Sequence, residues 1–144
     1  MRLEGTRDFG GPQEAVYEAV TDPELVSSAI PALESLDVAD SEHWTASVRI
    51  SFAPRIKVAF ELLEQRPPEH ARLQAGGKNF AGGASMDTFF DLSGGNGRTR
   101  MRYAAEFHLS GIFGRLGEHA LRPIAEKQMR RLFKAVDGRL ASRA

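Results

Sequence analysis

The groups in this chain that could do chemistry are four histidines, one glycine-lysine stretch and a few polar residues set in apolar runs. The stretch 73–86, LQAGGKNFAGGASM, brackets Lys78-Asn79-Phe80 with two glycine pairs. A phosphate-cradling loop needs Gly-x-x-x-x-Gly-Lys followed by Ser or Thr, then a helix whose N-terminus faces the phosphate. Here Asn79 follows the lysine, and Leu73, Ala75, Ala84 and Met86 keep a strand-like alternation on both sides. The glycines are read as freedom for a turn and for bending a curved sheet, not as a nucleotide loop.

The histidines give no metal site. His43 and His70 fall at strand ends, His108 faces outward by parity beside Glu106, and His119 flanks an apolar helical stripe. No short ligand spacing joins them, so neither a metal nor a cofactor is expected. The chain has no cysteine, which excludes disulfides, thiolate nucleophiles and iron–sulfur ligation. Inward polar groups are Thr88, Tyr103, Gln128 and, at a strand end opposite Trp44, Glu64. Tyr103 across from Thr88 could bond a ligand carbonyl or hydroxyl, or equally a partner inside the protein. A desolvated Glu64 could serve as acid or base, but Gln65, Arg66 and Pro67-Pro68 point to a wet rim. No nucleophile–base pair is visible, so no residue is given a catalytic role and binding is favoured over catalysis.

These groups need a scaffold, and the periodicity supplies one. Leu3 to Phe9 reads as a strand, and the Gln13 run with Ala15, Val16, Ala19 and Val20 as a helix. Asp22-Pro23 caps and starts a second helix that stops before Pro31. From Trp44 to Phe52 and from Ile56 to Leu62 the even positions are apolar. Folding about Pro54 pairs Phe52 with Ile56, Ile50 with Val58 and Val48 with Phe60 on one face of a hairpin. Gly94-Gly95-Asn96-Gly97 marks another turn. Folding there pairs Phe90 with Met101, Thr88 with Tyr103, Met86 with Ala105 and Ala84 with Phe107. On the wet face it sets Asp91 against Arg100 and Phe89 against Arg102. After His108 a helical stripe begins, running through Phe113, Leu121, Ile124, Gln128, Leu132, Val136 and Leu140, with a kink or restart near Pro123.

The resulting fold class is α+β: a curved antiparallel sheet wrapped around a long C-terminal helix, with two short helices after the first strand, in one domain spanning 1–144. A curved sheet meets a straight helix along one line, so the space beside that line is either filled or hollow. Inward alanines at 46, 71, 75, 84 and 105 suggest room for an apolar small molecule. Its expected walls are Val48, Ile50 and Phe52, then Val58 and Phe60, then Met86, Thr88 and Phe90. Met101, Tyr103 and Phe107 continue them, and Leu121, Ile124, Gln128 and Leu132 on the helix close them.

Charge bounds the partners. Residues 1–42 hold ten acidic and two basic side chains, whereas residues 112–144 hold eight basic and three acidic. The basic terminal helix offers a face to an anionic surface or partner. Arg98, Arg100 and Arg102 form the outside of a strand, and no nucleic-acid partner is expected. The start, MRLEGTRDFG, lacks the apolar core of a secretory signal, and no apolar run reaches the roughly 20 residues of a membrane span. The expected location is cytoplasmic or peripheral to the inner membrane, as a monomer or weak homodimer.

Four segments resemble a known family: DPELVSSAIPALESL (22–36), WTASVRISFAPRIKVAFELLE (44–64), AGGKNFAGGASM (75–86) and FHLSGIFGRLGEHAL (107–121). In this order they resemble the carbon monoxide dehydrogenase CoxG family, part of the START/polyketide cyclase-like (SRPBCC) superfamily with its helix-grip, Bet v-type fold. The likeness covers nearly the whole chain. Ala32 and Ala53 stand where the family pattern usually has glycine. The resemblance implies a protein that holds a lipid- or quinone-like molecule. It would act as a carrier or accessory factor for a membrane-associated redox enzyme, such as a carbon monoxide dehydrogenase-type molybdenum hydroxylase. The alternative it leaves is a polyketide cyclase- or hydrolase-like enzyme that uses Tyr103 with Glu64 or His119 in the same cavity.

Overall fold

A computed structural model describes residues 1–30, 33–49, 55–79, 82–111 and 114–143. Pro31, Ala32, Ile50, Phe52, the Pro54 turn and Phe113 lie outside the described residues. The chain runs β1 (Arg2–Phe9), α1 (Gln13–Val20), α2 (Pro23–Ser28), β2 (Leu33–Val38), β3 (His43–Val48) and β4 (Ile56–Arg66). It continues as β5 (His70–Asn79), β6 (Gly82–Gly95), β7 (Arg98–Gly111) and, after a 3₁₀ turn at Gly114–Leu116, α3 (Gly117–Arg143). All seven strands join one antiparallel sheet in the order β1-β7-β6-β5-β4-β3-β2. This is the helix grip: a curved sheet around α3, with α1 and α2 closing one end.

Local chemistry explains the boundaries. Asp22 accepts from the Glu24 backbone N–H at 3.0 Å, capping α2 with Pro23 in its first turn. The same carboxylate receives Arg139 of α3 at 2.8 Å, so the cap also ties α2 to the long helix. Asn96 and Gly97, at φ 56° and 72°, make the two-residue β6–β7 turn, in which both central residues need positive φ.

The strand faces follow the sequence alternation, but the registers differ from those expected. The turn closes on Asn96-Gly97 alone, so Phe90 pairs with Tyr103, Thr88 with Ala105 and Met86 with Phe107. That is two residues from the expected pairing, and an even slip keeps every side chain on its face. Asp91 accordingly faces Arg102, and Phe89 faces Ala104. In β3–β4, Val48 pairs with Ile56 and Trp44 with Phe60, an even shift of four residues from the pairing expected about Pro54 that again keeps each side chain on its face. Two further elements differ. Leu33–Val38 forms an edge strand where no element was expected, and β7 continues to Gly111 rather than ending at His108. Pro123 lies within one continuous helix rather than at a restart.

The glycine pair 76–77 lies within β5, not in a turn. A Cβ on Gly77 would come within 2.9 Å of both the Lys57 carbonyl and Ile56 Cγ2 on β4. Glycine is needed there for close backbone approach. Gly77→Ala is expected to destabilise the fold by about 1–3 kcal/mol, read as a lower urea midpoint at unchanged slope.

On the outer face, Arg72 forks onto Asp87 with bonds of 2.9 and 2.7 Å and lies 5.1 Å from the Phe89 ring centroid. The guanidinium hydrogen bonds hold the Asp87 carboxyl below its ordinary range. A lowered folded pKa contributes stability above the ordinary carboxylate range, which is lost as pH falls through the folded value. Asp87→Asn should therefore cost about 1 kcal/mol at neutral pH and nothing at strongly acid pH, checked by urea melts across that range.

Candidate functional site

The inner face of the sheet is not uniformly buried, and the gradient along it defines the site. At one end the packing is closed. Phe90, Met101 and Leu92 lie under Leu132, Phe133, Val136 and Leu140 of α3, with Val16 and Val20 of α1 in the same cluster. Tyr103 packs edge-on to Phe133 at 4.9 Å and crowds the Cβ position of Gly5, so β1 comes close to the helix there. Arg7 pairs with Asp137 and sits 5.4 Å from the Phe133 ring centroid, finishing that seam.

At the other end the grip opens. Val58, Gly77, Met86, Phe107 and Leu109 face inward yet are only half-buried, and Ala84 is exposed. Above them the first turns of α3 run through solvent: Gly117 to Ala120 are exposed and Ile124 is 60% exposed. From Ala125 onward the helix begins to bury side chains. Beside the N-terminal half of α3, the inner ends of β4–β7 thus keep apolar side chains partly exposed.

The expected wall residues divide along this gradient. Val58, Met86, Phe107, Leu121 and Gln128 are half-buried at the open end. Gln128 uses its amide to donate to the Ala29 carbonyl at 3.0 Å, linking α3 to the end of α2. Val48, Phe60, Thr88, Phe90, Met101 and Leu132 are buried, with Trp44 stacked on Phe60 at 5.4 Å. Tyr103 is half-buried on the seam, away from Thr88. Ile124 points to solvent. Ile50 and Phe52 lie outside the described residues. Gly77 and Leu109 belong to the open end but were absent from the expected wall. Parity with Phe107 would have found Leu109, whereas Gly77 needed the β4–β5 register.

The groups of the catalytic alternative do not share a face. A bulge in β4 between Leu62 and Glu64 turns Glu64 to the outer side, where it pairs with His70 at 3.1 Å and Arg72 at 3.2 Å. His70 is buried against Asp91 at 2.7 Å as well, and the exposed His43 bonds Asp40 at 2.9 Å. His108 and His119 are exposed. A hollow of about 840 Å³ also lies outside the sheet, rimmed by Arg2, Glu4, Arg72, Asp87, Asp91 and Arg102 around Phe89. Its rim is mostly committed to ion pairs, so it offers an apolar molecule little.

The same architecture recurs widely. A conserved protein from Geobacillus kaustophilus superposes with a TM-score of 0.88 at 20% identity, over 99% of this chain and 96% of its own. A START superfamily protein from Mycobacterium smegmatis gives 0.74 at 13% identity, over 99% of both chains. Ara h 8.0201 gives 0.72 at 16% identity, over 99% of this chain and 98% of its own. At these identities the likeness is one of fold, the START and Bet v-type helix grip. No curated protein sequence matches the chain. The family model for the carbon monoxide dehydrogenase component CoxG matches residues 5–141, nearly the whole grip from β1 to the end of α3. The chain therefore belongs to the carbon monoxide dehydrogenase CoxG family.

Proposed function

We propose that this protein binds a hydrophobic, lipid- or quinone-like small molecule in the cleft between the sheet and the N-terminal half of α3. It would act as a carrier or accessory factor for a membrane-associated redox enzyme of the carbon monoxide dehydrogenase type. One observation carries the reading: inward Val58, Met86, Phe107 and Leu109 stay half-buried where a self-sufficient core would cover them. An apolar occupant would remove that surface from water, at about 25 cal/mol per Å². Family membership supports the choice of a redox partner, and the fold supports a hydrophobic guest.

The helix beside the cleft suggests where the guest comes from. Lys127, Arg130, Arg131 and Lys134 are exposed, and none of them takes part in an ion pair among the described residues. Ile124 lies on the same side as Lys127, Arg131 and Lys134 at helical spacing. An exposed apolar residue next to unpaired cations suits an anionic bilayer surface. Among the described residues no helix is long and apolar enough to cross it. Docking there would leave the cleft mouth close to the lipid.

Trp44 is the only tryptophan of the chain and reports on the interior. Titration with a short-chain ubiquinone should quench its emission saturably, and Met86→Glu should weaken that binding about tenfold or more with little change in melting temperature. Quenching that never saturates, or that Met86→Glu leaves unaltered, would remove the cleft as the site. Phosphatidylglycerol vesicles should sediment the protein at low salt and release it at high salt. Lys127→Glu with Arg131→Glu should abolish sedimentation, since each cation contributes about 1 kcal/mol near an anionic surface.

A further inference from the structure

A hollow of about 380 Å³ lies between β1 and α3, and none of its lining residues belongs to the open end of the grip. β1 is an edge strand, paired only with β7, and the facing wall comes from α3. That wall is Arg122, Glu126, Met129, Arg130 and Phe133, spaced by threes and fours as one side of a helix. Leu3, Met129 and Phe133 make its apolar part and are only 7%, 7% and 4% exposed. They offer a guest little apolar surface, so the polar groups around the hollow decide what enters.

A phenol reaches into the same space. Gly5 is opposite Tyr103 in the β1–β7 register. A Cβ on Gly5 would stand 2.7 Å from the Tyr103 hydroxyl oxygen and 2.9 Å from its ring carbon Cζ. Gly5 is not one of the glycines with positive φ, so the position uses the missing side chain rather than an unusual backbone. Tyr103 therefore lies across β1 in the room that glycine leaves, its ring edge-on to Phe133 at 4.9 Å. No hydrogen bond among the described residues engages its hydroxyl, which can donate to an anion.

The charges select the sign of the guest. Three guanidinium groups and two carboxylates line the hollow, an excess of one positive charge. Arg7 is held by Asp137 and Glu4 by Arg2. Arg122 is tied only to Glu118, a solvated pair of little strength at 3.1 Å. Arg130 and Glu126 stand one turn apart, yet neither forms an ion pair among the described residues. A monoanion balances this lining, whereas a dianion would face the carboxylates uncompensated. The planar fork of arginine fits a carboxylate best. We infer that the hollow is a second binding site, for a small aromatic or aliphatic monocarboxylate. Arg130 and Arg122 pair with its carboxylate, the Tyr103 hydroxyl donates to it, and its apolar body rests on Leu3, Met129 and Phe133. The site does not depend on the cleft reading above.

The test titrates benzoate, benzyl alcohol and benzylammonium, alike in shape and different in charge, into the intact isotope-labelled chain followed by amide NMR shifts. Benzoate should saturate with a Kd of about 1 mM or tighter, benzyl alcohol should bind more weakly, and benzylammonium weakest. The shifts should centre on Gly5, Thr6, Tyr103 and Arg130. Arg122→Gln with Arg130→Gln should weaken benzoate about tenfold, with benzyl alcohol affinity and melting temperature unchanged. Tyr103→Phe should weaken benzoate about threefold, and Glu126→Gln should tighten it. Met86→Glu should leave benzoate binding as it is, which separates this site from the cleft. Benzoate that never saturates, benzylammonium that binds as well as benzoate, an affinity unmoved by the double arginine variant, or shifts centred on Met86 and Phe107 would each overturn the site.

Discussion

The contact between the C-terminal half of α3 and the inner face of the sheet holds the rest of the molecule in place. Met129, Leu132, Phe133, Val136 and Leu140 lie at helical spacing, and each meets apolar side chains from strands that are distant in sequence. Val136 and Met101 have no exposed surface at all. Burial of several large side chains in one seam, each worth about 1.5–3 kcal/mol, is the strongest cohesive term available to a domain without disulfides. Polar contacts then fix the angle of the helix rather than hold it on: Arg139 reaches the α2 cap, Gln128 reaches Ala29, and Arg7 reaches Asp137.

That seam has a geometric consequence. The C-terminal half of α3 is covered by the sheet while its first turns are exposed, so the fit is tight at one end of the interface only. At the N-terminal turns of α3 and the distal ends of β4 to β7, inward side chains stay half-buried or exposed. Gly77 and Ala84 lie there, and Gly77 is required by the close approach of β4 rather than by the cleft. Cohesion is thus concentrated at one end of the interface, and the other end is the one proposed to hold a guest. The surface that could receive the guest is the part the fold does not need for its own cohesion.

The outer face follows a different logic. Cross-strand charges dominate it: Arg72 with Asp87 and Glu64, Arg100 with Asp8, Arg2 with Glu106. A long twisted sheet open to water on one side needs such pairs for solubility more than for stability, because solvated pairs contribute little each. The bulge after Leu62 belongs to this system. By adding one residue to β4 it moves Glu64 from the inner parity to the outer and completes the carboxylate partners of His70.

What the sequence alone determined is the set of faces. Strict alternation in β3, β4, β6 and β7, the helical stripe of α3, Asp22-Pro23 and Asn96-Gly97 are local signals, and local stereochemistry obeys them wherever the rest of the chain lies. They were enough to assign the helix grip and to place Val58, Met86, Thr88 and Phe107 inside. The registers, the edge strand β2, the outward turn of Glu64 and the separation of Tyr103 from Thr88 were decided by tertiary structure. Each depends on where a bulge falls or how long a connection is, and a slip of two residues costs no change of face, so alternation cannot report it. The burial gradient was likewise invisible: whether an inward side chain is covered depends on how closely the sheet and α3 approach at that point, which no single segment encodes.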